Sequence, residues 1–162
     1  MLNTQSKIIA PNSNPEQIKN AIKNLPKPLV FTNGCFDILH RGHATYLEQA
    51  RNLGEALIVG VNSDQSVRSQ GKGDDRPINQ LEDRMSVLAS LACVDAVVSF
   101  EEETPLNLIE TIIPNHLVKG GDWAVADIVG GDIVSQHGGE VHSIAFEHDR
   151  STTALIKKIR NL

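Results

Sequence analysis

Two histidines three residues apart, His40 and His43, are the side chains here whose type and spacing best suit chemistry. They end the stretch Leu29-Val30-Phe31-Thr32-Asn33-Gly34-Cys35-Phe36-Asp37-Ile38-Leu39-His40-Arg41-Gly42-His43. The apolar run at its start predicts a buried strand, a polar glycine-bearing turn follows, and a helix is predicted to open at His43. The first amides of a helix lack intrahelical partners, and the helix dipole leaves partial positive charge there, which favours phosphate. Gly42 removes a side chain that would hold backbone and ligand apart. Imidazoles at 40 and 43 can then donate to phosphoryl oxygens or stabilise charge forming on them. On spacing alone, a solvated helix-start turn accounts for the pair equally well.

Other polar residues are weighed the same way. Lys72 stands between Gly71 and Gly73 in a charged loop, Gln70–Pro77, which predicts a cation able to close over phosphate or a plain solvated lysine. Arg84, in Glu82-Asp83-Arg84, either reaches a ligand or pairs with a neighbouring acid along its helix. The serines occupy cap positions without a partnered base, so no nucleophilic triad is expected. Glu101-Glu102-Glu103 is read as favouring the positive end of the next helix rather than as a metal cluster. Cys35 and Cys93 lie in different elements without CxxC spacing, which points to reduced, buried thiols and to neither a disulfide nor a zinc site.

The elements that must position these residues alternate in kind. Residues 1–13 are predicted to be a polar N-terminal arm, and 14–162 a single domain. Asn14-Pro15-Glu16 is a helix start, with Ile18, Ala21, Ile22 and Leu25 on one face and Pro26 and Pro28 as the stop. A strand at about 28–32 leads through the histidine turn to a helix near 43–53. Ala56–Val61 is a continuous apolar strand, as expected when both faces of a parallel sheet are covered. Asn62-Ser63-Asp64 caps a short helix, and Asn79 is expected to cap another through about Ala92. Val94–Phe100, His116–Lys119 and Val141–Phe146 read as further strands, with helices after Thr104-Pro105, over Asp132–His137 and after Ser151. This is a βαβ series, hence a parallel sheet with helices on both faces. Ligands bind such sheets outside the carboxyl ends of the strands, where the turns after strands one, four and five all fall.

Composition narrows the functional classes. A formal net charge of −5 over 162 residues, without a basic run, argues against a nucleic-acid surface. No apolar stretch approaches the roughly 18–20 residues that span a bilayer, and no signal peptide is visible at the start, so a cytoplasmic protein with no membrane partner is expected.

Residues 32–43 resemble the His-x-Gly-His segment of the nucleotidyltransferase superfamily, in the branch of the small cytidylyltransferases and heptose-phosphate adenylyltransferases. The hallmark turn is Thr32–Asp37, and the resemblance runs from about Leu29 to Asn161. It implies an α/β fold: a Rossmann-like three-layer sandwich with a five-stranded parallel sheet, of the nucleotidyltransferase (HxGH) type. By the same resemblance His40, His43 and Lys72 are catalytic, and Thr32, Asn33, Gly34, Cys35 and Phe36 line the nucleotide. Lys119-Gly120-Gly121-Asp122-Trp123 resembles the loop that holds base and ribose, which assigns Gly120, Asp122 and Trp123 to the nucleotide, with Trp123 stacking on the base or covering the sheet edge. Ser151, Thr152 and Thr153 match a Ser-Thr-Thr helix start that takes the triphosphate. Asp37, Arg76 and Arg84 fall on the acceptor side, although Asp37 can equally accept amides of its own turn. Glycerol-phosphate cytidylyltransferases carry Arg-Thr-Glu-Gly-Ile before Ser-Thr-Thr, where this chain has Phe146-Glu147-His148-Asp149-Arg150, a departure that fits the heptose branch.

The implied reaction moves AMP from ATP to D-glycero-β-D-manno-heptose 1-phosphate, giving ADP-heptose and pyrophosphate for the lipopolysaccharide inner core. Magnesium is expected to be held mainly by the phosphates, without protein metal ligands. A homodimer and a separate upstream heptose kinase are also implied. Two rivals stand beside it: a cytidylyltransferase acting on glycerol 3-phosphate or a similar alcohol phosphate, and a non-catalytic nucleotide-binding sensor.

Overall fold

Asn14 starts the first helix through a reciprocal capping box: its side chain accepts from the Gln17 amide, and the Gln17 side chain accepts from the Asn14 amide, both at 2.9 Å. The computed structural model describes residues 3–70, 75–121, 123–147 and 152–161. Its helices are α1 (Pro15–Ile22), α2 (Arg41–Arg51), α3 (Asp64–Ser69), α4 (Leu81–Ala89), α5 (Leu106–Ile112), α6 (Gly131–Gln136) and α7 (Thr152–Arg160). Its strands are β1 (Leu29–Gly34), β2 (Ala56–Asn62), β3 (Ala96–Phe100), β4 (His116–Gly120) and β5 (Glu140–Ile144). All five strands pair in parallel in the order β3-β2-β1-β4-β5, the predicted sandwich.

Period-two alternation sends β1 residues to opposite layers. Leu29 and Phe31 join a core with Ile18 and Ile22 of α1, Ile109 of α5 and Val134 of α6. Val30 joins the other, with Leu47 of α2 and Met85 and Leu88 of α4. Each fully buried side chain of this size contributes roughly 1.5–3 kcal/mol, so the two cores clamp the sheet between helical layers. Residues before α1 add to the edge: Thr4–Lys7 form a 3-10 turn, Ile8 bridges to Val97, and the Lys7 ammonium donates to the carbonyls of Leu91 and Val94.

The chain leaves β1 through α2 to β2 and β3 on one side, then crosses through α5 to β4 on the other. The strand order therefore reverses between β1 and β4, and their carboxyl ends open a crevice there.

Several boundaries differ from expectation. The helix after β1 opens at Arg41 rather than His43, with His40 in extended backbone as its cap residue and its carbonyl accepting from Ala44. Asn79 does not cap α4; Gln80 takes that position, because Asn79 is drawn to Asp37 by its own amide (2.8 Å) and its side-chain amide (2.5 Å). Pro105 is the cap residue of α5, which begins at Leu106 as the Thr104-Pro105 signal predicts. β5 stops at Ile144, short of Phe146, which instead packs edge-on against Tyr46 at 5.5 Å between ring centroids.

Candidate functional site

Placing His40 at the cap and His43 in the first turn of α2 brings their rings together. They stack at 3.9 Å between centroids, and the edge of Phe36 meets His43 at 5.3 Å. Phe36 sits at φ 47°, a left-handed conformation that a bulky residue rarely adopts, and it holds the turn in a shape that packs its ring against the histidine. The Nδ1 atoms of both imidazoles are buried without a hydrogen-bond partner among the described residues. Burial, and secondarily the neighbouring His40, lower the His43 pKa to about 4; burial also lowers that of His40. Both rings are therefore neutral near pH 7 in the free protein, beside helix amides that attract an anion.

Two cavities flank the end of β1 and share Asn33, Gly34, Cys35, Lys119 and Trp123. One, of about 230 Å³, extends between β1 and β4 toward Pro105, Ile128 and Val129. The other, of about 210 Å³, runs toward His43, Gly120 and Phe146 over the ring of Tyr46. Gly120 lies so close to Phe146 that a Cβ there would fall 2.7 Å from the ring, and Gly121 adopts φ 109°, so both positions favour glycine. The Gly121 amide donates to the Ile144 carbonyl (2.8 Å), and Ser143 Oγ bridges the Gly121 carbonyl (2.7 Å) and the Trp123 amide (3.1 Å). These bonds fix the loop from which Trp123, half exposed, faces both cavities with the Lys119 ammonium 5.8 Å from its ring centroid.

A larger groove, about 760 Å³, lies elsewhere, at the end of β3. Asp64, Glu82, Glu101 and Glu102 line it and no lysine, arginine or histidine does, so it is electrostatically unsuited to a polyphosphate. The shared cavities at the switch point are the better site.

The structure brings together His40, His43, Asn33, Gly34, Cys35, Phe36, Gly120 and Trp123 around the crevice. It turns other candidates inward. The Thr32 side chain is fully buried and shares a 2.6 Å hydrogen bond with the Tyr46 hydroxyl, which in turn donates to the Val118 carbonyl at 3.3 Å. Asp37 and Arg76 pair with each other, Nε to Oδ2 at 2.6 Å, and the same carboxylate accepts the amides of Ile78 (3.0 Å) and Asn79 (2.8 Å). Burial would raise the Asp37 pKa, but these two amides and the guanidinium outweigh it and hold the carboxyl below its ordinary value.

Arg84 is buried beneath the turn. Its guanidinium donates to the carbonyls of Asn79 (3.0 Å), Cys35 (2.7 Å) and Asn62 (2.8 Å) and pairs with Asp64 (2.7 Å). It thus ties together the ends of β1 and β2 and the starts of α3 and α4. Its ionic partner comes from another helix, not from the neighbouring Glu82 or Asp83. Thr152, the first residue of α7, donates its hydroxyl to the Ile38 carbonyl at 3.2 Å, and Thr153 is exposed. Lys72, Asp122 and Ser151 lie outside the described residues.

Sequence reasoning missed Tyr46, Asn62, Gln70 and the cavity-lining role of Phe146. Gln70 and Asn62 accept from the Cys35 thiol, at 3.3 and 3.8 Å. Asn62 carried a usable signal, because the last residue of a strand next to β1 must lie at the same carboxyl edge.

Known proteins resemble the chain in sequence and in fold. The chain is 56% identical, over 86% of its length and 86% of the relative's, to D-beta-D-heptose 1-phosphate adenylyltransferase of Bordetella bronchiseptica. It is 59% identical over 82% of its length to the bifunctional protein HldE of Pseudomonas syringae pv. syringae, of which it spans only 28%. Among solved structures, the lipopolysaccharide core biosynthesis protein from Thermoplasma volcanium superposes with a TM-score of 0.60 at 26% identity, over 75% of this chain and 98% of that one. Pantoate-beta-alanine ligase from Francisella tularensis shares the fold, with a TM-score of 0.61 at 19% identity over 96% of this chain and 73% of that one. The sequence profile of the cytidylyltransferase-like family matches residues 31–155. That span runs from within β1 into α7 and takes in both walls of the crevice, and on it the chain belongs to the cytidylyltransferase-like family.

Proposed function

We propose that this protein is an adenylyltransferase that joins AMP from ATP to D-glycero-β-D-manno-heptose 1-phosphate and releases pyrophosphate. The observation that carries the reading is the stacked pair His40–His43, neutral and with Nδ1 atoms that have no partner among the described residues, at the opening of α2 on the β1/β4 switch point. The relatives named above support the choice of base and acceptor.

In this reaction a phosphate oxygen of the acceptor attacks the α-phosphorus, a new P–O bond forms, and the bond to the β-phosphate oxygen breaks. The attacking phosphate is already anionic, so no general base is required. The protein must align two polyanions and oppose the charge that builds on the α-phosphoryl and the leaving group. The α2 amides and the two imidazoles do this by donating to phosphoryl oxygens. A bound polyanion raises the histidine pKa values, so the rings gain positive charge where charge must be countered. Lys72 adds a cation, Ser151 and Thr153 cap the triphosphate, and Asp122 and Trp123 hold ribose and base.

The donor set fits a magnesium ion carried by the triphosphate rather than caged by protein. Both oxygens of Asp37 are already engaged; the cavity that reaches His43 is lined by imidazole, amide, thiol and lysine groups, and the two carboxylates that line the other, Glu103 and Asp127, come from separate segments of the chain. When bound with ATP, the ion would withdraw charge from the phosphates. A homodimer and a sugar kinase activity that supplies the heptose 1-phosphate complete the proposal.

Product analysis tests it. Incubation with ATP, magnesium and heptose 1β-phosphate should yield a species with the mass of ADP-heptose, and none with His43→Ala. Recovery of a CDP-alcohol from CTP and glycerol 3-phosphate, with no ADP-heptose, would move the protein to the cytidylyltransferase reading.

A further inference from the structure

A second cluster of ligating side chains sits at the amino ends of β4 and β5, at the far end of these strands from the crevice. β5 is an edge strand of the sheet, and its Glu140 is paired in register with His116. Glu140 and His142, two residues apart, share a face with His116. His116 Nδ1 lies 3.0 Å from His142 Nε2, and Glu140 Oε2 lies 3.9 Å from the first and 3.5 Å from the second. The rings are tilted at 47° with centroids 5.2 Å apart, so they meet through their nitrogen atoms rather than by stacking.

These separations match a coordination sphere. Ligand atoms about 2.0–2.2 Å from a tetrahedral zinc ion stand roughly 3.3–3.5 Å from each other, and the three observed separations bracket that spacing. We propose that His116, Glu140 and His142 form a site for a divalent transition ion of the zinc class, with its fourth position open to water. Two nitrogen donors to one oxygen select zinc or cobalt over magnesium, which demands oxygen ligands. The imidazole side chains are 17% and 25% exposed and the carboxylate 70%, so the ion enters from solvent over the glutamate. Without metal the two rings share a hydrogen bond. On binding, the donor ring shifts its proton to its other nitrogen and both facing nitrogens become ligands.

The site is separate from the nucleotide crevice: from His116 to Gly120 is four residues along β4, roughly 13 Å. It pins β5 to β4, and β5 carries the Ile144 carbonyl and Ser143 hydroxyl that hold the Gly121–Trp123 loop. The ion would therefore stiffen the base of that loop and take no part in the chemistry.

Cobalt titration of protein freed of any histidine tag tests the site. The wild type should bind one ion per chain at this site, with the visible absorption of four-coordinate cobalt, lose that signal to zinc, and melt at a higher temperature when loaded. Glu140→Gln, at an exposed position that should not disturb folding, should weaken binding at least about tenfold, and His142→Ala should weaken it further. Cobalt affinity and spectrum unchanged in Glu140→Gln, or absence of a cobalt signal in the wild type, would overturn the proposal.

Discussion

At the scale of single residues, the histidine pair packs two imidazoles face to face, each with a buried Nδ1 that has no hydrogen-bond partner among the described residues. Two imidazoles stacked at 3.9 Å cannot both be charged without repulsion, and burial adds to that cost. A triphosphate supplies the opposing charge, so ATP binding near pH 6 should be accompanied by proton uptake, seen as a buffer-dependent heat in calorimetry and lost in His43→Ala. The free protein carries the reverse linkage. Because the folded His43 pKa, about 4, lies below the unfolded value near 6.5, the unfolded chain binds more protons between them. The stability this group contributes is full above about pH 6.5 and is lost as pH falls toward 4. The melting temperature of the wild type should therefore drop more steeply over that range than that of His43→Asn. His43→Ala should also lower kcat by on the order of 100-fold, as expected for loss of one preorganised donor; unchanged turnover in the folded variant would remove His43 from the site.

At the scale of elements, the turn after β1 is held in shape from below. Arg84 links the ends of β1 and β2 to α3 and to the residue before the α4 cap, and Asp37 links the turn to residues 76–79. Arg84→Ala would leave three carbonyls without this donor and Asp64 without its partner, so unfolding by urea should show a loss on the order of 3 kcal/mol. Arg84→Lys cannot reproduce the fork and should recover only part of it. The parallel sheet and its two helical layers were legible from the alternating apolar runs, and the candidate crevice from Leu29–His43 and Lys119–Trp123; the strand order was not. Nor was the clamp. The helical context of Glu82-Asp83-Arg84 suggested a ligand contact or a local ion pair, whereas the bonds Arg84 makes cross up to 49 positions of sequence. The start of α2 was misplaced for a related reason: the His-Arg-Gly-His turn offers no serine, threonine, aspartate or asparagine cap, so nothing local marks where helical backbone begins.

At the scale of the whole molecule, the reversal of strand order brings the turn after β1 beside the loop after β4. Thr32, Tyr46 and Val118 hold the two strands together beneath it. Tyr46→Phe should cost about 1–2 kcal/mol by leaving buried polar groups of β1 and β4 unpaired, and nucleotide affinity should weaken with it as the crevice floor loosens. No helix among the described residues is long and apolar enough to cross a membrane. The proposed function joins a transfer reaction to a particular pair of substrates, and one assay addresses both: pyrophosphate release with magnesium, crossing ATP and CTP against heptose 1β-phosphate and glycerol 3-phosphate. Release with ATP and the heptose phosphate alone is the predicted result. Release only with CTP and glycerol phosphate, or nucleotide binding with no release from any pair, would contradict it.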